Sequence, residues 1–357
     1  MIVKNIKLIN FRCYENLEIE FSPGMNYIYG DNASGKTSLV EAIYYLSLAR
    51  SFKTNKDKEL IKKNNDTALI NAYLNSLDSY KEILISLMDV GKKIFINKKQ
   101  IKKISELSNL INAIYFIPKD VNLLKESPSQ RRLFLNLSIA KVSNKYLELC
   151  INYEKILHSR NELLKQEKIN YDLLDVLTNQ IIQISKEIYL YRKNYIDDLN
   201  KKINYVYKSI TGKDEKINII YETFISNYEN FEMIANKKYK DSLENDMQKE
   251  VTNIGIHKED FKIFLNSKDV SKYGSQGENR LSVLALKITP YELIEEEEKK
   301  PIIILDDVLS ELDKNNQENL LNYLSKLKQV FITSTNKIFK ENITYYLIDK
   351  GIIKKGV

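Results

Sequence analysis

The sequence predicts an α/β nucleotide-binding fold interrupted by a helical insertion, on three observations. An apolar β-type run at residues 25–29 enters a glycine-containing loop, residues 30–37, which opens a helix. A second apolar run, residues 302–305, ends far downstream on Asp306 and Asp307. Between the two, the β-type pattern gives way to apolar residues recurring at steps of three or four as far as Gly212.

Each element follows in order. Residues 1–6 alternate as a strand, residues 25–29 form the strand before the loop, and residues 39–46 continue the loop into a helix. Residues 83–88, 93–97 and 114–117 read as further strands, with a hairpin turn at Asn97 and Lys98. After Pro118, Leu177, Ile181, Ile184, Ile188, Tyr191, Tyr195, Leu199, Ile203, Val206 and Ile210 make one apolar stripe on a long helix that Gly212 ends. An earlier stripe from Tyr146 to Leu164 predicts an antiparallel partner, with the turn at residues 166–170. The pair is short, so a helical insertion packed on itself is expected rather than a rod. From residue 254 strands return, with residues 261–266 alternating, then a helix to Ile294, the run 302–305, one more helix and a second buried run, 330–334. Three segments result: residues 1–120 as the first part of the nucleotide-binding domain, 121–253 as the helical insertion and 254–357 as the domain's return.

Composition bounds the function. The 357 residues suit two or three domains, and 43% hydrophobic with 29% charged residues suits a chain with a packed core. No apolar run approaches the ~18 residues of a membrane span, and the first residues lack the basic and apolar regions of a secretory signal. A cytoplasmic address is therefore expected. Two cysteines and two histidines rule out a disulfide framework or a four-cysteine zinc site from this chain alone. A net charge of +7 permits a polyanionic partner without demanding one.

The chemistry concentrates in three motifs. Gly30, Asp31, Asn32, Ala33, Ser34, Gly35, Lys36 and Thr37, followed by Ser38, fit a phosphate-binding loop. Such a loop turns backbone N–H groups toward phosphate oxygens, aided by the helix N-terminus. Lys36 adds a point charge, and the Thr37 hydroxyl is suited to ligate Mg²⁺ beside ATP. The strand ending at Asp306 and Asp307 complements it: Asp306 is placed to hold Mg²⁺ through water, and Asp307 to polarise an attacking water. Ser275, Gln276, Gly277 and Glu278 precede a helix and form a second phosphate receptor.

Ser275 to Glu278, the strand ending at Asp306, and Leu309-Ser310-Glu311-Leu312-Asp313 together resemble the signature loop, Walker B strand and D-loop of the ATP-binding-cassette (ABC) ATPases. Within that superfamily the chain resembles the RecF family almost end to end. The match rests on Leu8-Ile9-Asn10-Phe11-Arg12-Cys13-Tyr14, the phosphate-binding loop, Ser127-Pro128-Ser129-Gln130-Arg131-Arg132, Tyr273-Gly274-Ser275-Gln276-Gly277 and residues 305–313. The resemblance implies an ABC-ATPase domain split by a short antiparallel helix pair, with weak ATPase activity. It further implies ATP-driven homodimerisation, the signature loop of one copy closing on the nucleotide of the other, and a nucleotide-binding role for Asp313. It also implies binding to DNA at gaps and single-strand/duplex junctions, and help in loading RecA with RecR and RecO in repair, replication and the SOS response. A P-loop kinase would have no use for the signature loop and D-loop. A transporter subunit or a DNA-organising relative remains the alternative, the former disfavoured by the insertion and the latter by the missing long arms.

The chain departs from the family pattern in places. Relatives usually read Ser-His-Arg where this chain has Ser51-Phe52-Lys53, and Pro-Glu-Asp where it has Pro118-Lys119-Asp120, which leaves Asp120 as the Q-loop-like residue. His257, in Gly255-Ile256-His257-Lys258-Glu259-Asp260, lies either near the nucleotide, as the resemblance implies, or in a strand-edge turn. Arg12 either meets the nucleotide phosphates, as in relatives, or forms a surface ion pair. Lys92, Lys93, Lys98, Lys99, Lys102 and Lys103 crowd the predicted hairpin, either as a solvated strand edge or as a sequence-independent contact to DNA phosphates.

Overall fold

The computed structural model describes residues 1–75, 80–338, 340–349 and 351–356. They fall into two compact units: Met1–Val121, Tyr205–Asp214 and Val283–Val357 form the first, Asn122–Asn204 and Glu215–Ser282 the second.

The first unit holds two six-stranded sheets. One is antiparallel throughout, with β1 (Ile2–Phe11), β2 (Tyr14–Glu20), β4 (Thr67–Asn75), β5 (Tyr80–Met88), β6 (Gly91–Ile96) and β7 (Lys99–Gln100) in the order β2-β1-β4-β5-β6-β7. The other comprises β3 (Gly24–Tyr29), β8 (Ala113–Phe116), β12 (Ile302–Asp306), β13 (Gln329–Ser334), β14 (Ile343–Asp349) and β15 (Ile352–Gly356) in the order β15-β14-β3-β13-β12-β8. It is parallel except at the β14/β15 edge. β12 and β13 are buried at every position, which is why consecutive apolar residues, 302–305 and 330–332, form the body of each. The helix α1 (Lys36–Leu48) buries Leu39, Val40, Ala42, Ile43, Tyr45 and Leu46 completely, on all its faces, within a core that both sheets share. The short α2 (Ser105–Ser108) precedes β8, and α9 (Lys314–Leu324) links β12 to β13.

The second unit is built on α3 (Pro128–Ala140), α4 (Asn144–Leu164), α5 (Tyr171–Thr211) and α6 (Phe231–Lys249). α4 and α5 are joined by residues 165–170, and Leu163 and Leu164 pack with Leu174, Ile169 and Leu177 across the turn, as the two stripes predicted. Three ion pairs tie the unit together: the buried pairs of Arg160 with Asp246 at 2.9 Å and Arg192 with Glu259 at 3.3 Å, and the partly buried pair of Arg131 with Asp260 at 2.7 Å. Arg131 also donates to the carbonyls of Leu123, Leu124 and Glu126. The Ser-Pro-Ser-Gln-Arg-Arg segment thus has an architectural use, fastening the start of α3.

The units divide the chain differently from the three expected segments. β9 (Ile217–Glu222), β10 (Asp260–Leu265) and β11 (Lys268–Asp269) form an antiparallel sheet of their own within the second unit. The first strand after residue 254, β10, therefore pairs with β9 rather than returning to the main sheet. α7 (Val270–Tyr273) and the first turns of α8 (Gln276–Glu292) also belong to the second unit, and Tyr205–Asp214, at the end of α5, belongs to the first. Alternation marks Phe261, Ile263 and Leu265 as one buried strand face, but the choice of partner strand is a long-range decision that a local pattern does not carry.

Candidate nucleotide site

The phosphate-binding loop leaves β3 at Gly30 and enters α1 at Lys36. Gly30 has φ 150°, and a Cβ there would lie 2.1 Å from the carbonyl oxygen of Ile348; Gly35 has φ 116°, and a Cβ would lie 2.7 Å from the Tyr14 hydroxyl. Both positions combine positive φ with backbone or ring contact, so glycine is required at each. The Tyr14 hydroxyl donates to the Gly35 carbonyl at 2.9 Å, and the Gly351 amide donates to the Ser34 carbonyl at 3.2 Å, bracing the loop from two sides.

Lys36 folds back over the loop, its Nζ donating to the carbonyls of Gly30 at 2.8 Å and Asp31 at 2.7 Å. Burial lowers its pKa, opposed by Asp307, Asp306 and Asp31. At the end of β12, Asp306 accepts hydrogen bonds from the Thr37 hydroxyl at 3.0 Å and the Thr333 hydroxyl at 2.6 Å. Burial raises the Asp306 carboxyl above its ordinary value, while the two hydroxyls and Lys53 draw it down. Asp307 sits at φ 50°, its amide donating to the carbonyl and hydroxyl oxygens of Thr333. Its Oδ1 is buried with no hydrogen-bond partner among the described residues. An unpaired buried carboxylate oxygen is costly and marks a place for a water or an ion. These groups line an open cleft of roughly 320 Å³ together with Cys13, Asn32, Ala33, Ser38, Lys53 and Thr335.

In the second unit, Ser275 and Glu278 form a reciprocal cap at the start of α8. The Ser275 amide donates to Glu278 Oε2 at 2.7 Å, and the Glu278 amide donates to Ser275 Oγ at 3.2 Å. The serine hydroxyl is used as an acceptor, which leaves its proton for an incoming oxygen. A Cβ on Gly277 would meet nothing within 4 Å, so that residue faces open space.

Residues 2–348 match the family described as the RecF/RecN/SMC N terminal domain. A protein of Clostridium acetobutylicum named DNA replication and repair protein RecF is 39% identical, covering 99% of both chains. Its namesake in Clostridium perfringens is 40% identical over 97% of this chain and 96% of its own. The chain belongs to the RecF family. It is thereby an ABC-type, SMC-like ATPase. A solved structure titled as the recombination mediator protein RecF-ATPrS in the RecFOR pathway superposes with a TM-score of 0.88 at 34% identity, covering 99% of this chain and 98% of that one. A second, titled RecF-ATP, gives 0.87 at 34% identity over 99% and 97%. An SMC head domain, at 16% identity and a TM-score of 0.60, shares the fold.

Within this RecF-family chain the expected site residues separate. The structure brings Asn32, Ala33, Gly35, Lys36, Thr37, Ser38, Asp306 and Asp307 to one cleft, whereas Ser275, Gln276, Gly277 and Glu278 lie at the start of α8 in the other unit. The Arg12 guanidinium makes a two-pronged pair with the fully buried Glu41, at 2.9 and 2.7 Å, and donates to the Glu59 carbonyl. The Ser51 hydroxyl completes the cluster on Glu41. Asp313 caps α9, its carboxylate accepting the Asn316 amide at 2.9 Å. His257 lies inside the second unit with both ring nitrogens used, one facing the Tyr153 hydroxyl at 2.6 Å and the other the Thr252 carbonyl at 2.9 Å; burial pushes its pKa down to about 4. Asp120 pairs with the buried Lys287 at 2.5 Å.

The lysine hairpin needs one correction. Asn97 and Lys98 both have positive φ, as a tight hairpin turn requires. Lys93, Lys98, Lys99, Lys102 and Lys103 are exposed. Lys92 points inward instead, to Asp57 at 2.9 Å, the Tyr45 hydroxyl at 3.2 Å and the Ala49 carbonyl. Strand alternation explains the split, since neighbouring residues of β6 face opposite sides. Sequence reasoning passed over Lys53, Cys13, Thr333 and Thr335 as cleft residues. Lys53 was visible only as a departure from Ser-His-Arg, and Thr333 only as part of an apolar run.

Proposed function

We propose that this chain is an ATP-dependent DNA-binding protein of recombinational DNA repair and replication, whose ATP-bound form is a homodimer. The observation that carries the nucleotide reading is the convergence of Thr37, Asp306 and the unpaired Asp307 oxygen across from Lys36 at the mouth of α1. Hydroxyl and carboxylate oxygens are the donor set that suits Mg²⁺. Thr37 and Asp306 would hold the ion, which supplies charge neutralisation for the β- and γ-phosphates. Lys36 exchanges its loop carbonyls for phosphate oxygens, and the amides of residues 33–37 accept the remaining charge. Asp307 holds the attacking water by accepting its proton in a hydrogen bond. The hydroxyl of Ser275 and the amide of Gly277, from a second copy, supply donors to the γ-phosphate. Hydrolysis is then slow in the monomer, and ATP acts chiefly as a dimerisation switch.

The relatives' names support a role in DNA replication and repair, and the RecFOR titles support RecR and RecO as partners; help in loading RecA is the part this reading adds. Binding to DNA would be through phosphates at gaps and junctions, carried partly by the exposed hairpin lysines. Light scattering of the full chain with and without Mg-ATP tests the reading. Wild type should pass from monomer to dimer; Ser275→Arg should bind nucleotide but stay monomeric; Lys36→Met should lose both. A wild-type chain that stays monomeric in saturating Mg-ATP overturns the dimer switch.

A further inference from the structure

Thr333 is wholly buried in β13, the strand that lies between β3, which feeds the phosphate-binding loop, and β12, which ends on Asp306. It stands level with Asp306 in the parallel register on one side and with Ile28 on the other. A valine has nearly the same shape, suits a buried strand equally well and brings no polar atom into the core. What threonine adds at this position is its hydroxyl. That oxygen donates to Asp306 Oδ1 at 2.6 Å and accepts the Asp307 amide at 3.0 Å, using both its proton and a lone pair. The same oxygen of Asp306 takes the Thr37 hydroxyl at 3.0 Å. One buried hydroxyl is thus joined to both of the acidic residues that line the cleft from the end of β12.

We propose that Thr333 is a positioning residue, setting Asp306 to hold a divalent cation and Asp307 to hold water. The inference rests on the nucleotide reading of the cleft and adds a residue that acts through the two carboxylates. A carboxylate that binds a cation needs a partner on its far side, because rotation about its side-chain bonds would otherwise spread its oxygens over many directions. Thr333 supplies that partner from a central strand, hydrogen-bonded on both edges. Asp307 needs a different support. Its φ of 50° is a conformation that persists only where the surroundings enforce it, and its amide is held by two oxygens of one residue, the Thr333 hydroxyl and the Thr333 carbonyl at 3.2 Å. Removing the hydroxyl leaves that amide its carbonyl and leaves Asp306 its bond from Thr37. The fold should therefore survive, while the aim of both carboxylates loosens.

Calorimetric binding of the slowly hydrolysed analogue ATPγS to the full-length chain, across a Mg²⁺ series and in EDTA, tests the role toward Asp306. ATPase assays at saturating Mg²⁺ test the role toward Asp307. Wild type and Thr333→Ser carry the hydroxyl; Thr333→Val and Thr333→Ala do not. The two chains without it should need about 10-fold more Mg²⁺ to reach the same nucleotide affinity and should lose about 10-fold in kcat, with their affinity in EDTA unchanged. Thr333→Ser should stay close to wild type on both measures. Thermal melting without nucleotide identifies a chain that is merely unfolded, and the comparison of Ser with Ala carries the test if Val is not tolerated. Should wild type bind no nucleotide, the reading of the cleft falls and the inference with it. Should wild type bind and the chains without the hydroxyl keep its Mg²⁺ dependence, Thr333 does not set Asp306; should they keep its kcat, Thr333 does not set Asp307. Loss in Thr333→Ser equal to that in Thr333→Ala, or an equal loss of affinity in EDTA, would reduce Thr333 to packing and overturn both roles.

Discussion

At Asp307 the backbone takes φ 50°, a left-handed conformation that most residues resist and that Asn and Asp tolerate best. The choice of substitution therefore decides what an experiment reads. Asp307→Asn keeps a residue suited to that φ while removing the charge proposed to orient water, so nucleotide binding should persist and kcat should fall by about 10²-fold or more. Steady-state ATPase assays beside a nucleotide titration check this; hydrolysis at the wild-type rate would remove Asp307 from the mechanism. Lys287 poses the opposite problem, since its charge is buried against one carboxylate and an aromatic face. Lys287→Met should destabilise the chain by about 3–5 kcal/mol, because Asp120 is left unpaired, whereas Lys287→Met with Asp120→Leu should recover most of the loss. Urea unfolding of the three proteins measures it. Equal stability of the single and double variants would mean that the pair, although buried, is solvated.

Among the elements, the β6/β7 hairpin shows how one stretch of lysines serves two ends. Lys92 is an internal strut between Asp57 and Tyr45, and the exposed lysines beyond it face solvent, where a polyanion can reach them. If they bind DNA phosphates, removing one lysine–phosphate pair should lower the slope of log affinity against log salt by about 0.9 on duplex DNA. Lys98→Ala with Lys99→Ala should thus reduce both affinity and salt slope without altering the proposed ATP-driven dimerisation. Lys92→Ala should instead lower thermal stability. Fluorescence anisotropy across a salt series separates the two, and an unchanged slope in the double variant would move the DNA site off the hairpin. On the proposed reading the start of α8 has a comparable double use, because the hydroxyl that caps the helix is the one a phosphate would meet.

On the scale of the whole chain, two compact units mean that unfolding need not be a single transition. His257 gives one of them a pH dependence. In the unfolded chain the imidazole takes up a proton near its ordinary value of about 6.5. In the folded second unit, burial delays protonation to about pH 4. Between these values the unfolded state binds more protons, so the stabilisation is complete above pH 6.5 and is lost as pH falls toward 4. Thermal melts across that window should show the second unit weakening by a few degrees, and His257→Gln should flatten the dependence. A wild-type profile identical to that of the variant would place the titration elsewhere.

The local pattern of the chain by itself determined the phosphate-binding loop, because its glycines, lysine and threonine act within eight consecutive residues between a strand and a helix. It determined the buried strand ending at Asp306, because parallel central strands are apolar on both faces. It also determined the α4/α5 pair, whose apolar period of three to four persists through α5 from Leu177 to Ile210. Family resemblance supplied the meaning of Ser275 to Gly277, whose residues alone mark only a helix start suited to receive a phosphate. Tertiary structure decided the rest. It gave β10 to β9, turned Arg12 to Glu41 and Lys92 to Asp57, closed both nitrogens of His257, and brought Lys53 to the rim of the cleft. Periodicity records which face of an element is buried. Strand partners and the aim of a long charged side chain depend on groups tens to hundreds of residues away, which meet only when the chain has folded.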